Sequence, residues 1–135
     1  MVVGREARTS NAKEMSGAGV IGQMWSKGVP SGSVVAVYSQ YESDKDGEYN
    51  YLLGEKKTSD DTVPQAMAYC VVLSGTYLHL RFQGPISPES VMGLWRQIWE
   101  AEHVGAIQRA YQTDFEVYGE AGFDLYVGVK SLTAP

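Results

Sequence analysis

Arg109-Ala110-Tyr111-Gln112-Thr113-Asp114-Phe115-Glu116-Val117-Tyr118 reads as a strand from Tyr111 onward. Aromatic and β-branched residues are frequent there, and successive side chains of a strand point to opposite faces. Asp114, Glu116 and Tyr118 therefore share one face, with Glu116 enclosed between Phe115 and Val117. A second strand, Phe123 to Val129, follows. The same order stands 74 positions earlier: Tyr41-Glu42 falls on Phe115-Glu116, Gln23-Met24-Trp25 on Gln97-Ile98-Trp99, and Tyr49-Asn50 on Phe123-Asp124. Leu53-Gly54-Glu55-Lys56 falls on Val127-Gly128-Val129-Lys130 at the same offset. One offset shared by separate blocks indicates an internal duplication.

Each half reads as strand, helix, strand, strand. In the first, Val2 to Thr9 is a strand running into Ser10 and Asn11, residues that cap helices well. A helix from near Ala12 places Met15, Ala18, Gly19, Gly22 and Trp25 on one face and stops at Gly28 and Pro30. Val34 to Glu42 alternates, with Tyr38 and Glu42 on one face. Ser43 to Gly47 is a hairpin loop, and Tyr49 to Gly54 is the returning strand. In the second half, Tyr77 to Phe82 precedes a helix opened by Ser87-Pro88-Glu89, with proline where its missing N–H costs least. Val91, Leu94, Trp95, Ile98 and Glu102 share a face of that helix. One further strand, Ala66 to Leu73, is expected to join Tyr77 through the turn Ser74-Gly75-Thr76. The expected architecture is one α+β domain over residues 1–135. Its duplicated strand-helix-strand-strand units form an antiparallel sheet with two main helices and a central cleft. The first repeat spans about 1–57, a linker 58–65, and the second repeat about 66–131. Clefts between packed layers are where small ligands usually bind.

Composition narrows the function. A chain of 135 residues with 44% hydrophobic and 20% charged residues buries a core without disulfide staples. A net charge of -5, with no cluster of Lys and Arg, argues against direct contact with nucleic acid. The adjoining Lys56, Lys57, Asp60 and Asp61 read as a solvated loop. A single cysteine, Cys70, and two distant histidines, His79 and His103, give no disulfide framework and no metal-ligand spacing. No cofactor motif is present. The polar start of the chain and the lack of a long apolar run argue against a signal peptide and a membrane span, and fit the cytoplasm.

The stretch Arg109 to Tyr118, an arginine ahead of Asp-Phe-Glu-x-Tyr, resembles the closing motif of the GyrI-like effector-binding family. Val3 to Asn11 resembles that family's opening strand. Val37 to Asp44 with Gly47-Glu48-Tyr49 resembles its middle hairpin, and Asp124 to Lys130 its last strand. The resemblance covers nearly the whole chain. It implies the duplicated fold, found fused to AraC- and MerR-type regulators as a drug sensor, and also alone, as in bacterial integron-cassette proteins that bind cationic drugs. Met1 lies almost on the first strand, so the strand that would mirror Ala66 to Leu73 is missing. That edge is either bare or covered by another part of the chain or by a partner subunit, which leaves a homodimer open.

The resemblance assigns the ligand-anchoring acid to Glu116, and chemistry supplies a reason for it. A carboxylate in a partly desolvated cleft attracts an organic cation, and aromatic walls add cation–π attraction. The ligand site expected on this basis comprises Glu116, its repeat mate Glu42, Tyr38, Tyr126, Trp25, Trp95 and Trp99. The partner is then a lipophilic cationic small molecule. Tyr118 shares the Glu116 face, and Asp114 is expected to pair with Arg109 rather than to act as a second acid. Two other readings stand beside this one. Some GyrI-like proteins are described as hydrolases of strained electrophilic rings, with a carboxylate guiding water, although this sequence shows no nucleophile–base pair. An acidic solitary domain of this kind also suits an inhibitor that masks a DNA topoisomerase.

Overall fold

The computed structural model describes residues 1–27, 34–58 and 62–132. Seven strands form one antiparallel sheet: β1 (Val2–Ser10), β2 (Val34–Ser39), β3 (Glu48–Lys56), β4 (Ala68–Cys70), β5 (Thr76–Gln83), β6 (Ile107–Tyr118) and β7 (Gly122–Leu132). Their order across the sheet is β4-β1-β3-β2-β6-β7-β5. Without β4 this order is two-fold symmetric about the β2–β6 pair, as a duplicated unit demands. The helices are α1 (Asn11–Met15), α2 (Ile21–Ser26) and α3 (Pro88–His103). The fold is the α+β antiparallel sheet expected from the sequence.

Alternation divides the sheet into two unequal faces. On the helix side lie Ala36 and Tyr38, Tyr49, Tyr51 and Leu53, Glu116 and Tyr118, and Phe123, Leu125 and Val127, all buried. Trp95, Ile98 and Leu94 from α3 and Met24 from α2 complete that core. The other face carries a smaller cluster of Val2, Val35, Val37 and Leu52, against which Ala68, Cys70 and Val72 pack. The apolar stripe of α3 is what pins it to the sheet. Its start is fixed by a reciprocal cap: Ser87 Oγ accepts from Ser90 N at 3.1 Å while Ser87 N donates to Ser90 Oγ at 2.9 Å, with Pro88 in the first turn.

The helix expected from Ala12 and the strand expected from Ala66 to Leu73 both differ from the sequence expectation. The single helix expected from Ala12 is two short ones, broken between Met15 and Ile21. Gly17 takes φ +86 there, a conformation that ends helices. The Glu14 side chain then folds forward: Oε2 accepts from Val20 N at 2.9 Å and Oε1 from Ile21 N at 3.2 Å, capping α2. Gly19 lies against that carboxylate, where a Cβ would stand 2.3 Å from it. The helix stop expected at Gly28 and Pro30, and the Asp60–Asp61 turn, lie outside the described residues.

The second correction concerns the extra strand. It does not form a hairpin with β5. β4 pairs instead with Val2, Val3 and Gly4 at the opposite edge of the sheet, so the edge left without a leading strand is covered by the chain itself. Residues 71–75 then cross the smaller-core face to reach β5, and Leu73 N donates to Thr113 Oγ1 on β6 at 3.3 Å on the way. Burial of Ala68, Cys70 and Val72 on the smaller core offsets the loss of a tight turn.

Candidate functional site

Between the helices and the centre of the sheet lies a cavity of about 510 Å³. All three tryptophans line it (Trp25 from α2, Trp95 and Trp99 from α3), as do Tyr38, Tyr41, Tyr49, Tyr51 and Tyr118. The rings pack edge to face: Tyr38 meets Trp95 at 5.0 Å and Tyr51 at 5.1 Å, and Trp25 meets Tyr118 at 4.9 Å between centroids. Trp25 Nε1 donates to the Tyr51 hydroxyl at 3.0 Å, fixing that wall.

Glu116 sits at the floor with no solvent exposure. Tyr38 donates to its Oε2 at 3.0 Å, Trp95 Nε1 to the same oxygen at 2.7 Å, and Tyr118 to Oε1 at 2.6 Å. All three donors are neutral. No Lys, Arg or His among the described residues bonds this carboxylate. Burial raises the Glu116 pKa above its ordinary value, and the hydrogen bonds from Tyr118, Trp95 and Tyr38 offset only part of the rise. Burial, with the Glu116 charge beside it, also lifts the hydroxyls of Tyr38 and Tyr118, so both remain donors.

A second charged group adjoins the first. Arg109 Nη2 donates to Asp114 Oδ2 at 2.7 Å, and both side chains are buried. Asp114 also accepts from Gly128 N at 2.8 Å and from the Tyr41 hydroxyl. The guanidinium lies 4.3 Å from the Tyr111 ring centroid and 5.5 Å from that of Trp95. Burial works against the Arg109 charge and is the largest single influence, but the Asp114 carboxylate with Tyr41 and Tyr111 together outweigh it, leaving the pKa raised. Arg109 is thus neutralised internally, as the sequence suggested for this pair, and Glu116 is not. Tyr111 holds φ +53 beside this pair, where β6 departs from regular pairing.

Residues 1–129 match the family model described as Cass2, integron-associated effector binding protein. The chain belongs to this integron-associated effector-binding family. It is 30% identical to the putative transcriptional regulator protein YobU of Bacillus subtilis (strain 168), over 94% of this chain and 90% of that protein. The crystal structure of an integron cassette protein from the mobile metagenome of Vibrio cholerae superposes with a TM-score of 0.81 at 29% identity, covering 96% of this chain and 89% of that one. Both likenesses cover nearly the whole of this chain. Membership in an effector-binding family makes small-molecule binding the coarse function of the fold.

Within this effector-binding chain, the structure gathers Glu116, Tyr38, Trp25, Trp95 and Trp99 around one cavity. It does not bring Tyr126 or Glu42 there. Tyr126 pairs with Phe115 across β6–β7 and stacks on it at 4.7 Å, on the face away from the cavity. β2 ends at Ser39, and Gln40 adopts φ +50, which turns the chain out of strand geometry. The alternation that would have carried Glu42 inward is broken, so Glu42 is exposed and Tyr41 faces the site instead. Tyr49 and Tyr51 went unselected, although their period-two spacing with Leu53 on β3 was a usable signal. Glu14, placed at the cavity by the α1–α2 break, gave no sequence signal.

Proposed function

We propose that the chain binds a flat, lipophilic organic cation in this cavity, with Glu116 as countercharge. The observation that carries the reading is the state of Glu116: fully buried, lining the cavity and bonded only by neutral donors. A buried carboxylate without a cation is costly, and a ligand cation supplies the missing partner. Aromatic rings on several sides add roughly 0.5–2 kcal/mol per well-placed contact with a cation. Tyr38, Trp95 and Trp25 serve as walls, and Trp99 lies one helical turn beyond Trp95 on α3.

The three tryptophans make the test direct, because all of them line the cavity. Tryptophan fluorescence is titrated with benzyltrimethylammonium and with neopentylbenzene, its uncharged isostere. The cation is expected to bind much more tightly, and Glu116→Gln to remove most of the difference. Equal affinity for the two compounds, or full retention of the preference in Glu116→Gln, refutes the cation reading.

A further inference from the structure

The cavity holds a second carboxylate without a basic partner. Glu14 reaches it from the end of α1 and spends three of its acceptor positions inside the protein: Thr9 Oγ1 donates to Oε2 at 2.5 Å, Val20 N to Oε2 at 2.9 Å, and Ile21 N to Oε1 at 3.2 Å. A carboxylate accepts about four hydrogen bonds, which leaves one position on Oε1. No basic side chain among the described residues bonds Glu14. The basic groups that line the cavity are committed elsewhere, Arg109 to Asp114 and Lys45 to Asp46.

Tyr49 points to what this region receives. Its side chain is 3% exposed and lines the cavity, yet its hydroxyl makes no hydrogen bond to a described residue and is open to the cavity. Its ring lies 5.3 Å from that of Tyr38, the residue that donates to Glu116. The spare position on Glu14 only accepts, and the Tyr49 hydroxyl can accept as well as donate, so one donor group suits both. A ligand bearing one charge satisfies Glu116 and leaves Glu14 unmatched.

We propose that the site takes a ligand with two nitrogen centres about one aromatic ring apart, a cation on Glu116 and a second N–H-bearing, protonated nitrogen on Glu14 and Tyr49. This rests on the reading of Glu116 given above and adds the ligand class. Tyr49 is then a specificity-determining residue, because it acts only on ligands long enough to reach it.

The test compares 4-methylbenzylamine with 1,4-bis(aminomethyl)benzene by calorimetry on the intact chain. A charge-assisted hydrogen bond is worth roughly tenfold in affinity, so the diamine is expected to bind about tenfold more tightly. Tyr49→Phe and, separately, Glu14→Gln are expected to cut that ratio to below about threefold. Glu14 also caps α2, so the Tyr49→Phe result decides if Glu14→Gln does not fold. If 4-methylbenzylamine fails to bind, or binds without regard to Glu116→Gln, the cation reading itself falls. If its binding needs Glu116 but the diamine gains nothing, or keeps its gain in Tyr49→Phe, the second pole alone is overturned.

Discussion

Replacing Glu116 by glutamine should stabilise the free protein while disabling the site. The folded-state pKa of Glu116 is raised by burial, so the fold favours the protonated acid. That contribution is fully present below the ordinary value of 4.5 and is lost as pH rises through the raised value. Once ionised above that raised value, the buried acid is therefore a cost that glutamine does not carry. Each unit of raised pKa amounts to about 1.4 kcal/mol. For a chain of this length that is a gain of roughly 4 °C or more in Tm per unit. Glutamine also fits the hydrogen bonds: its oxygen can accept from Tyr38 and Trp95, and its amide can donate to a reoriented Tyr118 hydroxyl. Binding should move the other way. Losing one member of a buried, hydrogen-bonded charge pair costs about 2–4 kcal/mol, or roughly 30- to 1000-fold in affinity for benzyltrimethylammonium. The assay is paired, with thermal unfolding and fluorescence titration of both proteins between pH 4 and 8. The probe's charge is permanent, so its affinity for the native protein should weaken on acidification through the Glu116 pKa, and that for the variant should stay flat. A variant no more stable than the parent at pH 7.5, or one that binds the probe within threefold of it, contradicts the reasoning.

Two further outcomes test the frame around the site. Arg109→Met leaves Asp114 buried without its cation and should cost about 3–5 kcal/mol in chemical denaturation; a loss below about 1 kcal/mol would refute the view that this pair holds the frame together. Gly54→Ala would set a Cβ 2.0 Å from the Val3 carbonyl oxygen and 2.8 Å from the Gly4 Cα, where Gly54 on β3 stands opposite Gly4 on β1. It should cost about 2 kcal/mol or more and loosen hydrogen-exchange protection along β1 first; uniform protection with unchanged stability would mean the strands part there at little cost.

Much of the fold was legible because strands and amphipathic helices announce themselves by period. Alternation gave β1, β2, β3, β5, β6 and β7, and the Ser87-Pro88 start with the Leu94, Trp95 and Ile98 spacing gave α3. The α1–α2 break was not legible. Met15 to Gly19 are small or apolar residues that fit a helical face; Gly17 ends α1 by its positive φ, and α2 restarts on a contact from Glu14 to backbone groups six and seven residues on. The partner of β4 was hidden for a similar reason: an alternating apolar run fits either edge, and only the open edge of β1 and the smaller core decide between them. Tyr126 was misplaced because β7 is apolar on both faces, with Leu125 and Tyr126 adjacent, so its parity could not be read from composition.

Glu42 shows where the duplication itself misled. The offset that carries Tyr51 to Leu125 is faithful for β3 and β7. Tyr51 pairs with Tyr38, however, while Leu125 pairs with Glu116. In the folded sheet the position equivalent to Glu116 is therefore Tyr38: Ala36 pairs with Glu116 and Tyr38 with Asp114, so β2 and β6 correspond at an offset of 78 (116 − 38 and 114 − 36) rather than 74. The difference has a physical sense. An exact repeat of Glu116 at position 38 would put two carboxylates close together in a buried space, where like charges drive one of them neutral. A phenol there turns repulsion into a hydrogen bond, Tyr38 to Glu116 at 3.0 Å. The first unit brings an acid to the same cavity from Glu14 instead, placed there by the break between α1 and α2.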